Sequence, residues 1–199
     1  MDILKLITSQ LGDGAIAKLS DITGESPEKT GNAVQLAVPT LLNALNNNSN
    51  SSEGAAGILG ALDRDHDGSI LDDVMGFLAN SDGSDGNGIL KHLLGDKRGA
   101  VESGLSQKAG ISSESMSKIL AMLAPIIMGY LGKQKKENSI NSSGGISDLL
   151  TSVVGGLSGG NSSVGLDIGD ILGMLGDGGN QRSSGGGGIL GTLGKLFGK

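Results

Sequence analysis

The chain has 199 residues, enough for one moderate domain with something added, and a net charge of −6 that argues against a general nucleic-acid binder, which would need a basic face. It has no cysteine, which excludes a disulfide framework, a thiolate metal site and a cysteine nucleophile. Only three aromatics (Phe77, Tyr130, Phe197) accompany 37 glycines, so the core must be built from Leu, Ile, Val, Ala and Met; the glycine surplus, concentrated after residue 140, splits the chain by composition.

Residues 2–11 predict a short amphipathic helix with Ile3, Leu4, Ile7 and Leu11 at helical spacing. Residues 15–22 predict a second, ended by Gly24. Ser26-Pro27-Glu28 opens a third: serine caps, proline takes the first helical position, and the acid favours the first turn. Its apolar positions Val34, Val38, Leu41, Leu42 and Leu45 lead to the polar tract 46–52, and Pro39 inside it predicts a kink or break. Residues 53–62 and 70–79 predict two further helices, and the Gly/Ser/Asp run 81–88 has the composition of a flexible hinge.

Between those two helices lies Asp63-Arg64-Asp65-His66-Asp67-Gly68-Ser69-Ile70-Leu71-Asp72-Asp73. Counting Asp63 as the first position, carboxylates fall at the first, third and fifth, with Gly68 sixth and Ser69 seventh. That is the front of an EF-hand calcium loop, in which alternate oxygens converge on one hard cation and the glycine makes the sharp turn. The twelfth position, where a bidentate Glu closes the sphere, is Val74, so Asp72 or Asp73 would have to close it. The expected ligands are therefore Asp63, Asp65, Asp67, Ser69 through its carbonyl, and Asp72 or Asp73, with calcium as the cation. The bland alternative is an acidic solvated turn.

The helical pattern then recurs. Residues 89–131 align with 3–45 without a gap, the two prolines giving the offset 125 − 39 = 86. Gly24, Ser26, Glu28, Pro39 and Leu45 match Gly110, Ser112, Glu114, Pro125 and Leu131. A glycine stop, a serine cap and a mid-helix proline kept together indicate an internal duplication. The expected fold is all-α: two pseudo-repeats of short helices joined by a helix–acidic loop–helix connector, followed by a Gly-rich, largely flexible tail.

The stretch EGAAGILGALDRDHDGSILDDVMGFL, followed by LAPIIMGYLGKQ, resembles the bacterial YidB-like family (domain of unknown function 937) over about residues 1–134. The resemblance implies an all-helical domain and no particular activity. It sets the expected boundary between a helical domain, 1–134, and a tail, 135–199.

The tail is rich in Gly, Ser and Asn, with three apolar islands: Ile146 to Leu157, Ile168 to Leu175, and Ile189 to Phe197. Glycine at Gly169, Gly173, Gly191 and Gly194 costs each helix about 1 kcal/mol per residue against Ala, so the apolar faces need a surface to bind. That surface is the protein's own domain or a second copy, a partner protein, or a membrane met by residues 188–199 with Lys195 and Lys199. The lysines at 133–136 are expected as a solvated helix end.

No nucleophile elbow, P-loop, dinucleotide fingerprint or zinc motif is present. His66 is expected to face solvent and His92 to lie on a helix surface. No apolar run is read as long enough to span a bilayer, and the start Met1-Asp2-Ile3-Leu4-Lys5 lacks a secretion signal, so a cytoplasmic protein is expected. The expected function is a non-catalytic interaction or scaffold protein with one calcium-type loop, a protein partner or self-association, no nucleic acid and no small-molecule substrate. The alternatives are a membrane-peripheral protein held through residues 188–199, and an enzyme using acids in an inter-repeat cleft.

Overall fold

Serine caps and glycine stops set the helix boundaries. Ser26, Ser51 and Ser112 each accept a hydrogen bond from the backbone N–H three residues on, at 3.4, 3.0 and 3.0 Å. Gly24 (φ 72°) and Gly110 (φ 68°) turn left-handed where the preceding helices stop, a conformation a β-carbon would oppose. The computed structural model describes residues 3–159. In order, the helices are α1 Ile3–Thr23, α2 Pro27–Ser49, α3 Ser52–Arg64, α4 Val74–Asn80, α5 Ser84–Leu94, α6 Arg98–Ala109, α7 Ser113–Glu137 and α8 Ser143–Gly159. Short 3-10 turns cover Ser69–Asp72 and Gly95–Lys97, and no strand occurs among the described residues.

The core is aliphatic. α7 is its axis, with Met116, Ile119, Leu120, Leu123 and Ile127 fully buried and α1, α2, α3, α5 and α6 packed around it. α2 runs beside it and contributes Val34, Val38, Leu41, Leu42 and Leu45. By length and composition α7 is, among the described residues, the one helix apolar enough to cross a bilayer, which corrects the expectation that no run approaches that length. Its apolar window is 83% buried inside the protein, as befits a core helix.

Close helix crossings depend on glycine. Pro125 has no N–H for the carbonyl of Ala121, four residues earlier. α5 makes a close approach at that oxygen: a β-carbon on Gly86 would land on it. Further along α7, Gly129 faces Ile70 and Gly132 faces the His66 carbonyl, again without room for a β-carbon. Arg98 braces the same region, donating to Glu102 (2.6 Å), Asn87 (2.6 Å) and Ser117 (3.0 Å) and so tying α5, α6 and α7 together.

The all-helical expectation holds. α1 is two helical pieces joined at Gly12 (φ 55°, ψ 175°), where two helices were predicted. Where a kink or break was predicted at Pro39, α2 continues as one helix; nearby, Thr40 donates to Leu36 O (2.8 Å) and Asn43 to Pro39 O (3.0 Å). The predicted hinge 81–88 is mostly helix, because Gly86 is buried against α7 and draws residues 84–88 into α5. α2 and α7 begin 113 − 27 = 86 residues apart, each with a serine cap and an interior proline. The first tail island is α8, with Ile146 and Leu150 fully buried; the second and third islands lie outside the described residues.

Gly86→Ala should therefore lower stability by about 1–3 kcal/mol, because backbone must move to admit the methyl. Gly31→Ala, in α2 where a β-carbon meets nothing within 4 Å, should raise it by about 0.5–1 kcal/mol. Urea denaturation midpoints of the two variants check the contrast.

Candidate functional site: the acidic loop and the cleft beside it

α3 ends where Asp65 N–H and His66 N–H both bond back to the Ala61 carbonyl, at 3.0 and 3.2 Å. The chain then lies down on the second half of α7. Glycines at 129 and 132 let it approach, and Gly68 (φ 102°) makes the turn so near Lys133 that a β-carbon there would lie 3.1–3.3 Å from the lysine's Cβ, Cα and N. Asp67 closes the turn by accepting from Ser69 N–H at 3.0 Å.

Two lysines of α7 reach the loop. Lys135 Nζ donates to Asp63 Oδ1 at 2.5 Å, with the lysine side chain 10% exposed and the aspartate 54%. Lys136 Nζ donates to Asp67 Oδ2 at 2.9 Å. The Lys136 hydrogen bond first, and the Ser69 N–H second, hold the Asp67 carboxyl far below the usual aspartate range. Asp73 is committed elsewhere, capping α4 by accepting from Gly76 N–H at 2.7 Å. Asp65 and Asp72 are exposed, the first at the C-terminal cap of α3 and the second in the 3-10 segment.

As placed, three of the six expected ligands, Asp63, Asp67 and Asp73, are engaged by other groups. Two carboxylates are taken by ammonium groups and a third by a helix cap, and among the described residues no group of three or more His, Asp or Glu is arranged to hold a metal ion.

His66 is turned inward, 6% exposed, and not toward solvent, its carbonyl lying on Gly132. Its Nε2 is 4.0 Å from Asp85 Oδ2 on α5, beyond hydrogen-bond reach. The two residues border an open cleft of about 690 Å³ between α3 and α5. Its floor is Leu45, Ile58, Ile89, Leu93 and Met128. Its rim carries Glu53, Asp65 and Asp85 against Arg64, with His92 exposed at one edge.

The family model described as "Bacterial protein of unknown function (DUF937)" matches residues 5–134. The chain belongs to the DUF937 family. No curated protein and no solved structure matches it. The DUF937 span takes in the whole acidic loop and stops one residue short of Lys135, so α8 and the lysine pair lie beyond it.

Lys135, His66 and the two α7 glycines are the residues that sequence reasoning passed over. The lysines were expected in solvent, yet Lys135 is buried. The available signal was Gly129 and Gly132 just ahead of Lys133, Lys135 and Lys136, a seat for backbone with cations at its edge.

Asp63→Ala leaves the buried Lys135 ammonium without its carboxylate and should cost about 1–2 kcal/mol, the range for a charged hydrogen bond discounted for a half-exposed partner. Asp67 binds fewer protons folded than unfolded in acid, so its contribution is present above its ordinary value of 3.8 and is lost as pH falls below it. The melting temperature of Asp67→Asn should accordingly lie below wild type at neutral pH, with the gap closing in acid. A gap that stays constant with pH would break the assignment.

Proposed function

We propose that this chain is a non-catalytic interaction module, a bacterial helical scaffold whose surfaces take up short apolar helices. The observation that carries this reading is α8. A 17-residue helix containing Gly144, Gly145, Gly155 and Gly156 is too weak to stand alone in water. It is held by burying Ile146 and Leu150 against α2 and α3. Ser147 donates to Ser49 O at 2.8 Å and Thr151 to Asn46 Oδ1 at 3.2 Å. The partner class is thus a protein helix, from another protein or a second copy, and the compartment we assign is the cytoplasm. The absence of a catalytic role is supported by the groups at the cleft: Ser51 is committed to capping α3, and His66 has no hydrogen-bonded orienting partner there. The matched caps, stops and prolines of α2 and α7 support descent of the two halves from one duplicated unit, with the acidic loop in the connector between them.

Leu150→Asp in the full-length chain should unseat α8 and lower stability by about 2–5 kcal/mol. A labelled peptide of residues 143–159 should then bind the variant and not the wild type, by fluorescence anisotropy. A variant that keeps its helical circular dichroism yet ignores the peptide would overturn the reading.

A second reading keeps the calcium-type loop. Gly68 in the left-handed region and the Asp67–Ser69 bond are the turn that the front of such a loop requires. Calcium would have to take Asp63 and Asp67 from Lys135 and Lys136. Isothermal titration after chelator treatment separates the two: no saturable calcium site is expected, and one such site, lost in Asp65→Ala, would favour the second reading.

A further inference from the structure

The α3–α5 cleft is a second apolar seat, and three features say what fits it. Its floor is aliphatic, and its walls are low: β-carbons on Gly57 and Gly88 would meet nothing within 4 Å. A volume of about 690 Å³ holds the anchor side chains of one helix face, not a whole helix. Its rim is acidic, with Glu53, Asp65 and Asp85 facing Arg64 alone at a pH where histidine is neutral.

The chain itself carries two apolar islands beyond α8. The one at Ile168 to Leu175 contains Asp170 and follows Asp167, charges that the rim repels. The one at Ile189 to Phe197 presents Ile189, Leu190, Leu193, Leu196 and Phe197 with Lys195 and Lys199 and no acid. Charge complementarity selects the second of these. Length permits it: 189 − 159 = 30 Cα steps separate it from α8, reaching at most about 100 Å, several times the radius of gyration of about 15 Å expected for a domain of this size.

We propose that residues 189–199 dock in the α3–α5 cleft of the same chain. The proposal rests on the reading of the domain as an acceptor of apolar helices and names a second site and its occupant. The tether keeps the segment at high local concentration, so an outside helix must compete with it for the cleft.

Because the chain has no cysteine, Thr192→Cys gives a single attachment point for a spin label in the full-length protein. Paramagnetic broadening of the methyl groups of Ile58, Ile89 and Met128, with those of buried Val34 unaffected, is the expected result. Glu53→Lys with Asp85→Lys, both on exposed positions, should weaken the docking about tenfold, as should ionic strength near 1 M, where the Debye length is about 3 Å. Leu193→Asp with Phe197→Asp should abolish it.

Cleft methyls that stay sharp overturn the proposal. So does broadening that appears only when spin-labelled chains are mixed with isotope-labelled, label-free ones, since a second copy is then the occupant. Sharp cleft methyls together with tight binding of the label to phosphatidylglycerol vesicles would assign the segment to a membrane instead. If the 143–159 peptide still binds Leu150→Asp while the cleft methyls stay sharp, this proposal fails alone and the helix-accepting reading stands.

Discussion

Backbone laid against backbone on α7 is the constraint from which the rest of this structure follows. A helix buried along most of its length can receive neighbours at ordinary side-chain spacing, or more closely where a glycine removes the β-carbon. α7 does the second at two levels along its length: Gly86 of α5 sits on its Ala121 carbonyl, and its own Gly129 and Gly132 admit the acidic loop. These approaches fix where α5 and the loop can lie. Because α3 leads into the loop, they also set the gap between α3 and α5, and so the cleft.

The acidic loop shows how one sequence pattern can serve two chemistries. Alternating carboxylates need compensating positive charge once they are crowded on a turn. A bound cation can supply it; here Lys135 and Lys136, projecting from the helix the loop rests on, do so from within the chain. The arrangement is economical for a connector, since the same helix furnishes both the seat and the counter-ions. It also leaves Asp65 and Asp72 facing water, where alternation alone would have turned one of them inward.

What was legible in the sequence was local. Serine caps, glycine stops and the 86-residue offset gave helix boundaries, since each is decided within a few residues by backbone chemistry. Pro39 was read as a kink or break, yet it removes only its own N–H and α2 continues through it as one helix; 81–88 misled because Gly86 was read as freedom when it marks a close approach. The pairing of Lys135 with Asp63 spans 135 − 63 = 72 residues, and no local rule reports a contact of that length. His66 went astray for the same reason: alternation along the loop pointed it outward, while the packing on Gly132 turned it in.

The central claim is that the loop is held by α7 and its own lysines. Native-state hydrogen exchange of the amides of residues 66–72 tests it most directly, in the full-length chain with calcium and with chelator. The structure predicts protection of the Leu71 N–H, which bonds to the Gly68 carbonyl at 3.1 Å, to the same degree in both solutions. Protection that appears only with calcium would contradict it and return the loop to the cation.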